Sequence, residues 1–213
     1  MYGMAGMASA LEYTPRSSPG RVPTADITQY FLGDELTKLA SFISGAPPNL
    51  LHDIMSATSE TKLRILLAKF SPMDPRIQPS VSMQATCARI TRWLETSSEI
   101  YAISKDVTPY ALFLFLKVRI LNSFTNKLPT HIETARFGVA VKIAYGNLCD
   151  GTMWPETLES LVGMPFDYIQ FVELEFLKDL DWKSWVRELD FTEFFERFKI
   201  VWDVLLDYDD ETF

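Results

Sequence analysis

The sequence predicts an all-α chain. Apolar residues recur at three- and four-residue spacing along most of its length. No convincing alternation of the strand period appears, and the interruptions fall at Pro, Gly and short polar stretches.

Residues 1–25 are rich in Gly, Ala, Ser, Met and Pro without an apolar period, and read as a disordered N-terminal tail. Thr14-Pro15 and Ser18-Pro19 in this tail suit a proline-directed kinase, but such pairs are ordinary in a disordered segment and that reading is the stronger. From Asp26, helical periodicity runs through Ile27, Tyr30, Phe31, Leu36, Leu39, Phe42 and Ile43, with Gly33 as an interruption. Pro47-Pro48 breaks the chain. Another helical region covers 49–70, interrupted near Ser56–Ser59, with Leu63, Leu66, Leu67 and Phe70 on one face. Residues 26–72 thus form an N-terminal helical extension. Pro72, Pro75 and Pro79 mark an extended linker.

Beyond the linker, the pattern places helices near 80–97, 108–125, 132–147, 154–162, 166–181 and 190–206. Pro109 and Pro165 fit first-turn positions. Asp190-Phe191-Thr192-Glu193 resembles a cap followed by a Glu three residues later. Residues 207–213, with Asp207, Asp209, Asp210 and Glu211, read as an acidic tail.

Composition narrows the function classes. The 213 residues suit one domain with extensions, and 47% hydrophobic content supports a sizeable core. Fifteen Phe and five Trp exceed a minimal core's needs and hint at an apolar surface for a partner. A net charge of −8 argues against general nucleic-acid binding. Cys87 and Cys149 form neither a disulfide framework nor a zinc motif, which points to a reducing compartment. The longest aliphatic and aromatic run, Tyr110 to Leu116, is far shorter than the ~20 residues of a membrane span. With no secretory signal visible, the expected location is cytoplasmic or nuclear.

The sequence contains no glycine-rich phosphate loop, GxSxG elbow or HExxH motif. With His52 and His131 as its two histidines, a His-based metal site is nearly excluded. Neither a catalytic group, a cofactor site nor a metal site is expected. Lys117, Arg119, Lys127 and Arg136 form a loose basic group, readable as a site for phosphate or an acidic peptide or as solvated helix faces.

Two residues stand out. At 100° per residue from Ile169, Val172, Phe176, Leu180 and Leu177 fall at about 300°, 340°, 20° and 80°, and Glu173 at about 40° lies inside this stripe. Glu175, at about 240°, is on the opposite face. A Glu inside an apolar stripe is either an edge reaching water, a structural ion pair, or a group held for a partner. Lys142 lies on a helix built of small residues, Ala135-Arg136-Phe137-Gly138-Val139-Ala140-Val141-Lys142, suited to the centre of a bundle. Its stem can lie along apolar surface with the ammonium at the edge.

The stretch from Pro79 to Val186 resembles the cyclin box, in particular the single-box cyclins of the phosphate-signalling type. Pro79-Ser80-Val81-Ser82-Met83 resembles that family's Pro-x-Ile-Ser-Ile, and Ala88-Arg89-Ile90 its Lys-Arg-Ile. The segment from Leu114 to Ile120 is similar to Ile-Tyr-Ile-Asp-Arg-Leu, and Val139 to Lys142 to its Ala-x-Lys. Trp154 follows Lys142 by twelve residues, as an aromatic often does. The most specific match is Val172 to Trp182, which resembles Leu-Glu-x-Glu-Phe-Leu-x-x-Leu-x-Trp/Phe. Thr130-His131, Gly146-Asn147 and Gln170-Phe171-Val172 depart from the family's His-Arg, Asp-Asp and Leu-Asn, marking a divergent member.

The resemblance implies a single five-helix cyclin box over 79–206 with extra N- and C-terminal helices. It implies a regulatory subunit, not an enzyme, that binds a cyclin-dependent protein kinase through Lys142 and Glu173. Leu112, Phe113, Leu116 and Phe137 are candidates for apolar contact with the kinase, although such residues more often serve a core. The aromatic face of the last helix, from Phe191 to Leu205, either closes the bundle or docks a substrate or inhibitor. A cyclin-fold adaptor without kinase binding is the alternative.

Overall fold

A computed structural model describes residues 31–69, 79–98, 103–121, 130–149 and 151–206. Every regular element among them is helical: α1 Asp34–Gly45, α2 Pro48–Ser56, α3 Glu60–Leu67, α4 Val81–Ser98, α5 Val107–Leu121, α6 Thr130–Leu148, α7 Pro155–Val162, α8 Phe166–Asp179 and α9 Glu188–Val201. A short π-helical segment, Trp202–Leu206, continues α9. The N-terminal tail, most of the proline linker, Lys127 and the acidic tail lie outside the described residues.

Local chemistry sets most boundaries. Gly33 precedes α1 with φ of 64°, and its N–H donates to Thr91 Oγ1 on α4 at 3.0 Å. Asp34 and Glu35 then oppose the positive end of the α1 dipole. Pro48 takes the first position of α2, where its missing N–H costs nothing. Ser59 caps α3 by accepting from the Lys62 N–H at 3.3 Å, and Ser80 accepts from the Met83 N–H at 3.1 Å at the start of α4. Gly163, in the left-handed region at φ 76°, closes α7. There the Arg89 guanidinium donates to the carbonyls of Leu161 and Val162, at 2.8 and 3.3 Å.

Two differences from the sequence reading concern helix starts. Pro165 is the residue before α8, not in its first turn. The last helix begins at Glu188, so Asp190 lies in its first turn and is not the cap. Across this start the Arg187 fork donates to both Asp190 oxygens at 2.9 and 2.7 Å, and Glu188 and Asp190 oppose the positive end of the helix dipole.

Helix α6 is central and packs against α4, α5, α7 and α8. Helix α5 is buried on nearly all sides, as its almost uninterrupted apolar sequence requires. The N-terminal helices belong to the same core: α1 lies on α4 and α5, α2 on α5 and α9, and α3 on α9. Arg119 of α5 donates to the Ile43 and Ala46 carbonyls at the end of α1, at 3.4 and 3.3 Å. Its other terminal nitrogen lies 3.5 Å from the Glu133 carboxylate of α6, with both side chains almost fully buried.

The apolar face of α9 closes the bundle. Phe191, Phe194, Phe198, Val201 and Leu205 are buried. Phe194 meets Phe113 at 5.3 Å between ring centroids, and Phe42 meets Phe198 at 6.3 Å. Of the two readings of this face, closing the bundle or docking a substrate or inhibitor, the burial supports the first: the chain's own α1, α2, α3 and α5 helices cover it. No helix among the described residues is long and apolar enough to cross a membrane.

Candidate interaction site

The geometry begins with the small residues of α6. Ala135, Ala140 and Ala144 are fully buried, and a Cβ at Gly138 would meet Val162 Cγ2 at 2.3 Å. The glycine lets α7 approach α6 at that point, with its side chains against the α6 backbone.

Helix α8 runs antiparallel to α6 along one seam. Arg136 Nη2 donates to Asp179 Oδ2 at 2.8 Å, and Lys142 Nζ donates to Glu173 Oε2 at 2.5 Å. A step of six residues forward on α6 is thus a step of six residues back on α8, about 9 Å along each axis. Val139 and Phe176, midway between the two pairs, are buried in the seam. The ion pairs lie at its margins, and both are met by the same register of the two helices.

Lys142 and Glu173 are each about one-fifth exposed, at 21% and 20%. Of the three readings open from the sequence, two hold together: Glu173 sits at the edge of the stripe and is ion-paired. Among the described residues neither makes another hydrogen bond, so two Lys142 protons and Glu173 Oε1 keep capacity for an outside group. A pair this accessible contributes at most about 1 kcal/mol to folding.

The structure does not bring the other candidates to this site's surface. Leu112, Leu116 and Phe137 are fully buried and Phe113 is 8% exposed, so all four serve the core in this conformation. Phe137 packs on Phe115 at 5.6 Å. The loose basic group is dispersed as well. Arg119 is held by Glu133 and two carbonyls, and Arg136 by Asp179. Burial pulls the Lys117 ammonium below its usual pKa, Asp190 counters this and Lys183 adds to it. His52 and His131 are exposed, and no cluster of potential metal ligands occurs among the described residues.

The sequence reading missed where the apolar surface lies. Phe171 and Leu174 on α8 are 62% and 44% exposed, and Trp182 and Trp185 in the following segment are each 60% exposed. The helical wheel that located Glu173 carried the signal, since Phe171 and Leu174 fall at about 200° and 140°, away from the buried stripe. Asp181 and Trp182 adopt φ of 52° and 59°, and the Trp182 N–H donates to the Leu177 carbonyl at 2.8 Å, turning the chain off α8. The segment then crosses α5 and α6. The Tyr110 hydroxyl donates to the Ser184 carbonyl at 3.0 Å and accepts from the Val186 N–H and Asn147 Nδ2, at 3.1 and 3.3 Å.

A groove of about 630 Å³ between α3 and α9 is lined by residues of both signs, including Glu60, Arg64, Glu193 and Arg197. These four already pair within their own helices, at 2.7 Å for Arg64–Glu60 and 3.1 Å for Arg197–Glu193. The groove therefore offers no single dominant charge to a ligand.

The chain matches no protein-family model, no curated protein and no solved structure.

Proposed function

We propose that this chain is a cyclin-like regulatory subunit that binds a cyclin-dependent protein kinase and either activates or targets it. The reading joins the sequence resemblance to one observation: Lys142 and Glu173, distant in sequence, meet at the accessible margin of the α6–α8 seam with hydrogen-bonding capacity to spare. In this reading Lys142 donates to backbone carbonyls of the kinase and Glu173 accepts from its backbone amides. The chain performs no chemistry and needs no cofactor. Its binding energy favours the kinase's active arrangement over the inactive one.

Losing one member of such a polar set on binding typically costs about 2–5 kcal/mol of affinity. Affinity purification from the native host, with kinases identified by mass spectrometry, tests the reading. A cyclin-dependent kinase recovered with the wild type and lost with Glu173→Arg, while the variant keeps its helical circular dichroism, supports it. A wild-type eluate without any such kinase sinks it. The second reading, a cyclin-fold adaptor without kinase binding, is favoured by the burial of Leu112, Phe113, Leu116 and Phe137, which leaves the pair without that apolar surround. It predicts co-purifying proteins that Glu173→Arg does not release.

A further inference from the structure

The outward face of α8 carries a pattern that the Lys142–Glu173 pair does not use. On the same wheel, Asp167, Phe171, Leu174 and Lys178 fall at about 160°, 200°, 140° and 180°, a stripe about 60° wide. All four are exposed, Phe171 by 62% and Leu174 by 44%. Their spacing of four, three and four residues is that of a coiled-coil seam.

The stripe is also self-complementary. Phe171 and Leu174 lie equally far from the point between Val172 and Glu173, and so do Asp167 and Lys178. Half a turn about that point exchanges Phe with Leu and acid with base. Helix-dipole preference explains an acid near the N-terminus of α8 and a base near its C-terminus. It does not explain two large apolar side chains between them on the solvent side.

We propose that this face binds a second copy of the chain, two α8 helices pairing antiparallel about a two-fold axis. Phe171 packs on Leu174 of the second copy, and Asp167 faces Lys178 of the second copy at both ends, where Lys178 exchanges the exposed pair it makes with Glu175 of its own helix, at 2.7 Å, for the inter-chain one. Such an isologous contact closes on itself and gives a dimer, not a filament. Fourteen residues of helix span about 21 Å, so the seam covers a few hundred Å², below the ~800 Å² per partner of a standard interface. The dimer is accordingly weak and reversible. Glu173, at about 40°, is roughly 130° around the helix from the stripe. The proposal stands on different residues from the kinase reading, and either can fail alone.

Sedimentation equilibrium of the full chain from about 2 to 200 μM tests it, in the range where an interface this small associates. The wild type is expected to show a monomer–dimer equilibrium, and Phe171→Glu to raise its midpoint at least about tenfold. Asp167→Lys and Lys178→Glu are each expected to weaken the dimer, and the double variant to return to within about threefold of the wild type, because both inter-chain pairs are rebuilt in reverse. Circular dichroism confirms that each variant is folded. A chain that stays monomeric throughout overturns the proposal and leaves the face to a different protein. A dimer indifferent to Phe171→Glu, or a double variant no better than either single one, overturns it too.

Discussion

Replacing Gly138 by Ala tests how closely α6 and α7 approach. The added Cβ would lie 2.3 Å from Val162 Cγ2, against an ordinary carbon–carbon contact of about 3.5–4.0 Å. Val162 has little room to yield: it is 3% exposed, and a β-branched side chain in a helix has one strongly preferred rotamer. Overpacking of this kind costs about 1–3 kcal/mol. Gly→Ala in a helix interior recovers about 1 kcal/mol of propensity. With an overlap this large the upper part of the range applies, leaving a net loss of about 1–2 kcal/mol. For a chain of this size that lowers the unfolding temperature by about 2–8 °C. Urea unfolding followed by far-ultraviolet circular dichroism measures it. Val162→Ala alone removes two buried methyl-sized groups and costs about 2 kcal/mol. In the double variant the new Ala methyl occupies space that Val162 vacated. The loss is then smaller than the sum of the singles by at least about 1 kcal/mol. A Gly138→Ala chain stabilised by the full propensity gain, with additive singles, would refute the close approach.

Two further predictions concern buried groups. Arg119→Ala removes the cation facing Glu133 and the donors to the Ile43 and Ala46 carbonyls, and is expected to cost about 3–5 kcal/mol in the same urea assay; a loss below about 1 kcal/mol would mean that water already reaches the group. Burial pushes the Cys87 thiol from 9.0 up to about 12, partly offset by a hydrogen bond with Thr37 and by the nearby Arg89 charge. The folded state thus favours the neutral thiol. That contribution to stability is fully present below pH 9 and is lost as pH rises towards 12. Cys87→Ala is expected to flatten this alkaline slope, and an unchanged slope would show that the thiol does not cause it.

Much of the fold was legible because its helices are punctuated by residues with specific backbone roles. Gly33, Pro48, Ser59 and Gly163 mark boundaries for reasons visible in the sequence. The start of α9 was not, because its N-cap is Arg187, which makes no side-chain cap hydrogen bond and so matches no cap pattern. For the site, the wheel placed Glu173 at a stripe edge, and it meets Lys142 there. The apolar candidates went the other way. A helix as apolar as α5 is surrounded, and only packing tells which side chains remain for a partner. Phe171 and Leu174 are hidden in the sequence for the converse reason: a large apolar residue reads as core wherever it falls, and packing shows that these two face outward.

The contact between Arg197 of α9 and the Ala57 carbonyl joins residues 140 positions apart, at 3.1 Å. At ribosomal rates of about 5–20 residues per second, Ala57 waits roughly 7–28 s for its partner to be made. During that interval the surfaces of α2, α3 and α5 that α9 will cover lie open, including Phe113. The nascent chain carries this apolar surface until α9 itself is synthesised, an interval in which the surface is open to association with other chains.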